Sequence, residues 1–298
     1  MSIEDSPNRS WRSLYPFESH YANIGGVSCH YVDEGEGAPV VMVHGNPTWS
    51  FHFRDLIQEL RPRHRVVAPD HVGCGLSEKP QNYPYRLQTH IDNLEHLLVA
   101  HLDLDDITLV LHDWGGAIGA GFAVRHPQRV SRLVILNSAA FLLPKCPWRI
   151  RICRLPAFGP PAVRGFNAFA RAALRMATTR PERFSEAVRA GYLAPYDTWR
   201  NRIGILRFVQ DIPLRPSHPT WKTLGQVEKN LCKLSDRPTL LCWGERDFCF
   251  TPEFRAAWQK YFPDAETHAF EDAGHFVLED AKEYILPLVN EHLRKPNA

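Results

Sequence analysis

No uncharged apolar run in the 298 residues approaches the ~20 needed to cross a bilayer, so no membrane span is expected. The first ten residues are polar and lack the apolar stretch of a secretory signal, and the expectation is a cytoplasmic protein. Excess charge is lacking as well: 35 Lys and Arg against 33 Asp and Glu leave a net +2, spread along the chain rather than gathered on one motif. That excludes a nucleic-acid footprint and favours a small uncharged substrate. An even set of cysteines is missing, since Cys29, Cys74, Cys146, Cys153, Cys232, Cys242 and Cys249 make seven, which fits reduced thiols rather than a disulfide framework. The pair Cys242 and Cys249 lacks metal-ligand spacing, so neither a metal nor a cofactor is expected. There is no internal repeat and no low-complexity tract.

What is present is a core. At 44% hydrophobic content the chain can bury one large domain, or a domain with an insertion. Strand-like segments at 27–33, 39–43, 65–69, 107–111 and 133–136 alternate with helical spacing at 56–60, 87–102 and 117–125. That alternation predicts a mostly parallel twisted sheet with helices on both faces. From 144 to 221 the pattern turns to Arg, Pro and aromatics with helical patches and no convincing strand, which predicts an inserted helical cap. Strands return at 239–243 and 267–270, followed by an amphipathic helix at 285–294. The expected organisation is a core of 21–143 and 222–298, a cap of 144–221 and an N-terminal extension of 1–20.

Residues 109–119 read Leu-Val-Leu-His-Asp-Trp-Gly-Gly-Ala-Ile-Gly, an apolar strand running into a glycine-flanked turn that lifts Asp113 out of the chain. This is the pattern of a nucleophile elbow, usually G-x-S-x-G, with Asp113 where serine stands and His112 in place of the first glycine. The exchange selects the chemistry. A carboxylate attacks acyl carbon feebly but can displace a leaving group from sp3 carbon, giving an alkyl ester that water must cleave. A serine esterase is excluded.

Two partners follow in order. Trp243-Gly244-Glu245-Arg246-Asp247 sets an acid at one strand's carboxyl end, and Asp272-Ala273-Gly274-His275 sets a histidine in a small-residue turn after the next. Nucleophile, acid, histidine is the chain order of the α/β-hydrolase fold, and each falls where strands end and a ligand crevice opens. The expected class is therefore α/β, of α/β-hydrolase type. His275 is expected to deprotonate the hydrolytic water and Asp247 to fix its tautomer; the plainer alternatives are a helix-capping carboxylate and a buried, bonded imidazole. Asn46 and Trp114 bring an amide NH2 and an indole N–H to one leaving group, while their backbone N–H groups hold an oxygen during ester hydrolysis. Turn capping and packing are the alternatives for that pair. Such donors suit a soft or delocalised anion, halide or carboxylate. His44 is expected to orient the turn that carries Asn46.

The segments His-Gly-Asn-Pro-Thr-Trp-Ser at 44–50, Asp-His-Val-Gly-Cys-Gly-Leu-Ser at 70–77 and His-Asp-Trp-Gly-Gly at 112–116 resemble the haloalkane dehalogenase family, from about residue 21 to the last helix. The resemblance implies Asp113 as nucleophile, His275 as base, Asp247 as acid and Asn46 with Trp114 as the halide-stabilising pair. The acid after the penultimate strand, combined with Asn46, is similar to the third subfamily; Asn137 stands where another subfamily carries its acid. Cap segments 166–169, 194–199 and 207–214 are similar to the β-lactone decarboxylases of bacterial long-chain olefin biosynthesis. There the Asp opens a cis-3,4-dialkyl-oxetan-2-one, and loss of carbon dioxide gives a cis-alkene. Two alkyl tails need a wide apolar pocket, for which Phe141, Trp148, Phe166, Phe169 and Trp199 are candidates, with cap packing as the alternative. Haloalkane dehalogenation is thus expected first and lactone decarboxylation second. Epoxide hydrolysis is a minor reading that needs Tyr192 and Tyr196 as acid donors. The arginines between 149 and 207 are expected to be solvated or paired with local acids, or else to face a partner enzyme in hydrocarbon biosynthesis.

Overall fold

The chain enters its sheet earlier than the apolar runs predict: β1 (His20–Ile24), which alternates exposed and buried residues and so has no apolar run, pairs antiparallel with β2 (Val27–Glu34). The computed structural model describes residues 9–143 and 145–295. After β3 (Pro39–Val43) come α1 (Arg54–Leu60), β4 (Arg65–Pro69) and α2 (Leu87–Glu95), which continues through a wider π-type turn to His101. Then follow β5 (Ile107–Asp113), α3 (Trp114–Arg125) and β6 (Val130–Ser138). Between β6 and the next strand the described residues form helices and no strand: α4 (Trp148–Ile152), α5 (Ala168–Met176), α6 (Glu186–Leu193), α7 (Ile203–Asp211) and α8 (Pro219–Asn230). The chain closes with β7 (Thr239–Gly244), α9 (Pro252–Tyr261), β8 (Glu266–Phe270), α10 (Val277–Asp280) and α11 (Lys282–Arg294).

Eight strands lie in the order β1-β2-β4-β3-β5-β6-β7-β8, parallel from β4 to β8. β3, β5 and β7 are almost wholly buried apolar runs, as strands covered on both faces must be. Alternation divides them between two cores. Val41, Val43, Leu109 and Leu111 pack with α2 and α3 on one face, and Val40, Met42 and Val110 pack with α1 and α11 on the other. The winding reverses at β3, which has β4 on one side and β5 on the other. A crevice outside the carboxyl ends of β3 and β5 is the ligand position such a reversal creates.

Two expected boundaries fall differently. Trp11 and Tyr15, inside the expected extension 1–20, are 2% and 1% exposed and pack against Trp49, so the described part of that extension belongs to the core. The division at 221 falls within α8, which packs on α2 and α3 beneath the sheet's helical layer.

Candidate active site

Asp113 ends β5 with φ 53° and ψ −124°, a left-handed backbone that an L-residue adopts only when its surroundings impose it. The imposition comes from glycine. A Cβ on Gly115 would sit 1.9 Å from the Val43 carbonyl oxygen, so only glycine lets α3 start this close to β3. A Cβ on Gly45 would meet the Asp113 carboxylate at 2.0 Å, so glycine also lets the turn after β3 lie against that side chain. The Ser138 hydroxyl donates to the Asp113 carbonyl at 2.7 Å and fixes the elbow from β6.

That close approach delivers the backbone N–H of Asn46, which donates to Asp113 Oδ1 at 2.6 Å. The Trp114 N–H also bonds the carboxylate. Burial pushes the Asp113 carboxyl up from its ordinary value, opposed by His275 and by these two amides. His275 Nδ1 donates to Asp247 Oδ2 at 2.8 Å, which leaves Nε2 facing Asp113 Oδ2 at 3.7 Å. Burial alone would lower the imidazole; the Asp247 carboxylate, and then Asp113, more than offset it and raise His275 to about 8. Phe250 stacks on the ring at 5.7 Å and 17°.

Asp247 is held in turn by the Cys249 N–H at 2.7 Å and by Asn137 Nδ2 at 3.1 Å. Asn137 also exchanges both bonds with the Gly244 backbone, donating at 3.0 Å and accepting at 2.8 Å. Sequence reasoning weighed Asn137 only as a missing acid and missed this positioning. Its signal was an uncharged polar residue directly after the apolar run at 133–136.

Behind the trio lies a row of buried imidazoles. His112 donates Nε2–H to the His275 carbonyl at 2.9 Å and stacks on His52, whose Nδ1 meets the Tyr192 hydroxyl at 2.8 Å. Burial holds His112 and His52 well below the ordinary value, so both are neutral. Tyr192 donates on to Glu279 at 2.7 Å, and Glu279 forms a two-pronged pair with Arg54 at 2.6 and 2.9 Å. His44 lies under the Asn46 turn as expected of a structural residue: Nε2 accepts from the His71 N–H at 3.0 Å and Nδ1 donates to the Gly45 carbonyl at 2.7 Å. The 70–77 segment is fixed by buried Asp70, which accepts from His30, Ser50 and Leu76 at 2.7 to 2.8 Å.

Asp113, His275, Asn46 and Trp114 all line one cavity of about 520 Å³. Asn46 points its amide nitrogen at the Ile205 carbonyl, 3.3 Å away, and leaves Oδ1 buried without a partner. Phe141, Trp148 and Phe169 line the cavity; Phe166 and Trp199 do not. Phe166 is 77% exposed, and Trp199 lies under the Arg164 guanidinium at 4.5 Å. Both sit in turns beside α5 and α7, where helical spacing does not apply to decide their direction. Tyr192 and Tyr196 are also absent from the lining, and the Tyr196 hydroxyl is committed to the Thr48 carbonyl at 3.0 Å. The acid donors that an epoxide opening requires are therefore engaged elsewhere. Sequence reasoning also missed Ala172 and Ala173, whose small side chains make room in the cavity on the α5 side.

The arrangement can present a carboxylate oxygen to a saturated carbon, hold the other oxygen on backbone amides, and set a histidine beside the resulting ester. The family model for the alpha/beta hydrolase fold matches residues 38–282. The chain is 46% identical over 269 residues to a cis-3-alkyl-4-alkyloxetan-2-one decarboxylase of Shewanella oneidensis, covering 89% of this chain and 84% of that protein. It is 35% identical to haloalkane dehalogenase 2 of Mycobacterium bovis, covering 93% and 94%. A crystal structure of a haloalkane dehalogenase from Agrobacterium tumefaciens matches with a TM-score of 0.85 at 27% identity, over 96% of this chain and 99% of that one. The chain belongs to the α/β-hydrolase family.

Proposed function

We propose that the protein is a cis-3,4-dialkyl-oxetan-2-one decarboxylase that works through an alkyl ester of Asp113, in a core roofed by the 144–221 cap. The observation that carries this is the cavity: about 520 Å³, with its polar side chains gathered at Asp113 and the mouth and an apolar lining between them, far more room than a short haloalkane fills. The higher identity to a decarboxylase than to the dehalogenases supports the same order, which reverses the expectation from sequence.

Asp113 Oδ2 is the attacking oxygen because Oδ1 is held by the Asn46 amide. It attacks C4 of the lactone, the ring C4–O bond breaks, and its electron pair goes to the freed carboxylate, which Asn46 and Trp114 receive with their side-chain donors. The C3–carboxylate bond then breaks to release carbon dioxide; its electrons form the C3=C4 double bond as the C4–Oδ2 bond returns its pair to Asp113. Inversion followed by anti elimination is a net syn loss, so a cis-lactone gives a cis-alkene without water.

Haloalkane hydrolysis on the same residues is the second reading, favoured by the placement of His275. Esterifying Asp113 removes one of the three negative charges that raise His275, Asp247 and Asp280 being the others, so its pKa falls below about 8 once the ester forms, and the neutral base appears when water must be activated. The test compares the two substrate classes on one preparation. A cis-dialkyl lactone is expected to give alkene and carbon dioxide at a far higher kcat/KM than any 1-bromo- or 1-iodoalkane releases halide. Equal or reversed values would return the assignment to dehalogenation, and absence of both activities in folded protein would end the displacement reading.

A further inference from the structure

Residues 145 to 180 carry eight Lys or Arg and no Asp or Glu, in a chain whose totals are 35 and 33. The even spread of charge seen along the whole sequence does not hold here. Several arginines elsewhere are matched, Arg54 with Glu279, Arg65 with Asp33 and Arg125 with Asp92 and Glu95. Within the segment Lys145 reaches Glu253 and Arg180 reaches Glu283. Arg149, Arg151, Arg171 and Arg175 are exposed and have no carboxylate partner among the described residues. Of the two alternatives expected for the insert's arginines, solvation or pairing with local acids, these four take the first.

The same segment holds most of the exposed apolar side chains. Trp148, Leu155, Phe158, Phe166 and Met176 are between 43% and 77% exposed, and Trp199 adjoins them through Arg164. Trp148, Phe158 and Met176 also line the cavity, together with Lys145 and Arg149. Residues that face both solvent and cavity mark its mouth, so the basic, apolar patch surrounds the way in.

We propose that this face docks on a bilayer containing anionic phospholipid, with the cavity mouth against the lipid, so that an apolar substrate enters from the membrane rather than from water. Unpaired cations interleaved with apolar side chains match such a surface in both respects: the cations meet headgroup phosphates while the apolar groups enter the acyl boundary. A nucleic acid would use the cations and leave the apolar groups in water. A protein seated on the patch would close the mouth. The inference goes beyond the chemistry at Asp113 and does not depend on it.

The test is co-sedimentation of the full chain with vesicles of phosphatidylcholine alone and of phosphatidylcholine with phosphatidylglycerol. Binding is expected only with phosphatidylglycerol, weakening as salt is raised. The variant Arg151→Glu/Arg171→Glu/Arg175→Glu is expected to bind at least about tenfold more weakly. Lys222→Glu/Lys229→Glu/Lys260→Glu, the same change of charge away from the patch, is expected to bind nearly as well as the parent. Leu155→Ser/Phe166→Ser should also weaken binding. Should the charge variant not fold, tryptic cleavage of the parent decides: anionic vesicles are expected to protect sites at Arg149 to Arg175 and no others. Equal binding to both vesicles, equal loss in the control variant, protection elsewhere, or self-association that covers the patch without lipid would each overturn the proposal.

Discussion

The cavity has two walls, built from two kinds of chain. On the sheet side, Asp113, Asn46 and His275 stand at strand ends or in the turns after them, and each makes at least one bond of 2.6 to 2.8 Å to another residue of the core. Those bonds continue inward through Asn137, His112 and the Arg54–Glu279 pair. On the cap side, Ala168, Phe169, Ala172, Ala173 and Val209 project from helices and offer surface but no polar atom. One wall fixes a reaction; the other fixes what fits. Substitutions on the first should therefore change rate or stability steeply, and substitutions on the second should change substrate preference.

The largest effect is expected at Asp247. With Asp247→Asn, His275 loses both its tautomer and the carboxylate that raises it, and haloalkane hydrolysis should fall by roughly three to four orders of magnitude. The sign of the pH effect follows: His275 is held protonated up to about 8 in the resting protein, so removing the carboxylate moves the acid limb of the residual activity to lower pH. A pH–rate profile checks both. An unchanged limb would mean another group sets it.

Next is the pair behind the site. Arg54→Met leaves Glu279 buried without its cation and should destabilise the fold by about 3–5 kcal/mol, read from the denaturant midpoint. Arg54→Met/Glu279→Leu should recover most of that loss. A double variant as weak as the single one would show that the pair's worth lies in the Tyr192 and His52 bonds rather than in charge balance.

The smallest effects belong to the cap, and they separate its inward and outward aromatics. Phe169→Ala enlarges the cavity and should shift kcat/KM among substrate chain lengths by about 1–3 kcal/mol for the worst-fitting tail, with little change in stability. Phe166→Ala, at 77% exposure, should stay within about 0.5 kcal/mol on turnover and stability alike. Equal effects from the two would erase the distinction between the walls.

That distinction also explains what the sequence revealed. Strand ends are legible: a buried parallel strand is a short apolar run, and the residue that ends it or the turn after it lies toward the crevice, so Asp113, Asp247, His275 and Asn46 could be named as candidates from order and position. The mostly parallel sheet was legible for the same reason, whereas its strand order was read only from the structure. Asn137 escaped because its work is a bond to another side chain, and hydrogen-bond partners leave no periodic trace. In the cap, an aromatic residue satisfies either face of a short helix, and Phe169 and Phe166 look alike until α5 begins between them at Ala168. β1 escaped for a related reason, since an edge strand with exposed residues has no apolar run to announce it.

The most direct test is to stop the reaction at its ester. Displacement at sp3 carbon needs Asp113 and the donor groups, whereas cleaving the ester needs His275, so His275→Phe incubated with 1-iodobutane should gain one butyl group, mapped by peptide mass to Asp113, and Asp113→Ala should gain none. A folded His275→Phe protein that stays unmodified, or carries its butyl group on another cavity residue such as Cys249, would contradict the assignment of Asp113 as nucleophile.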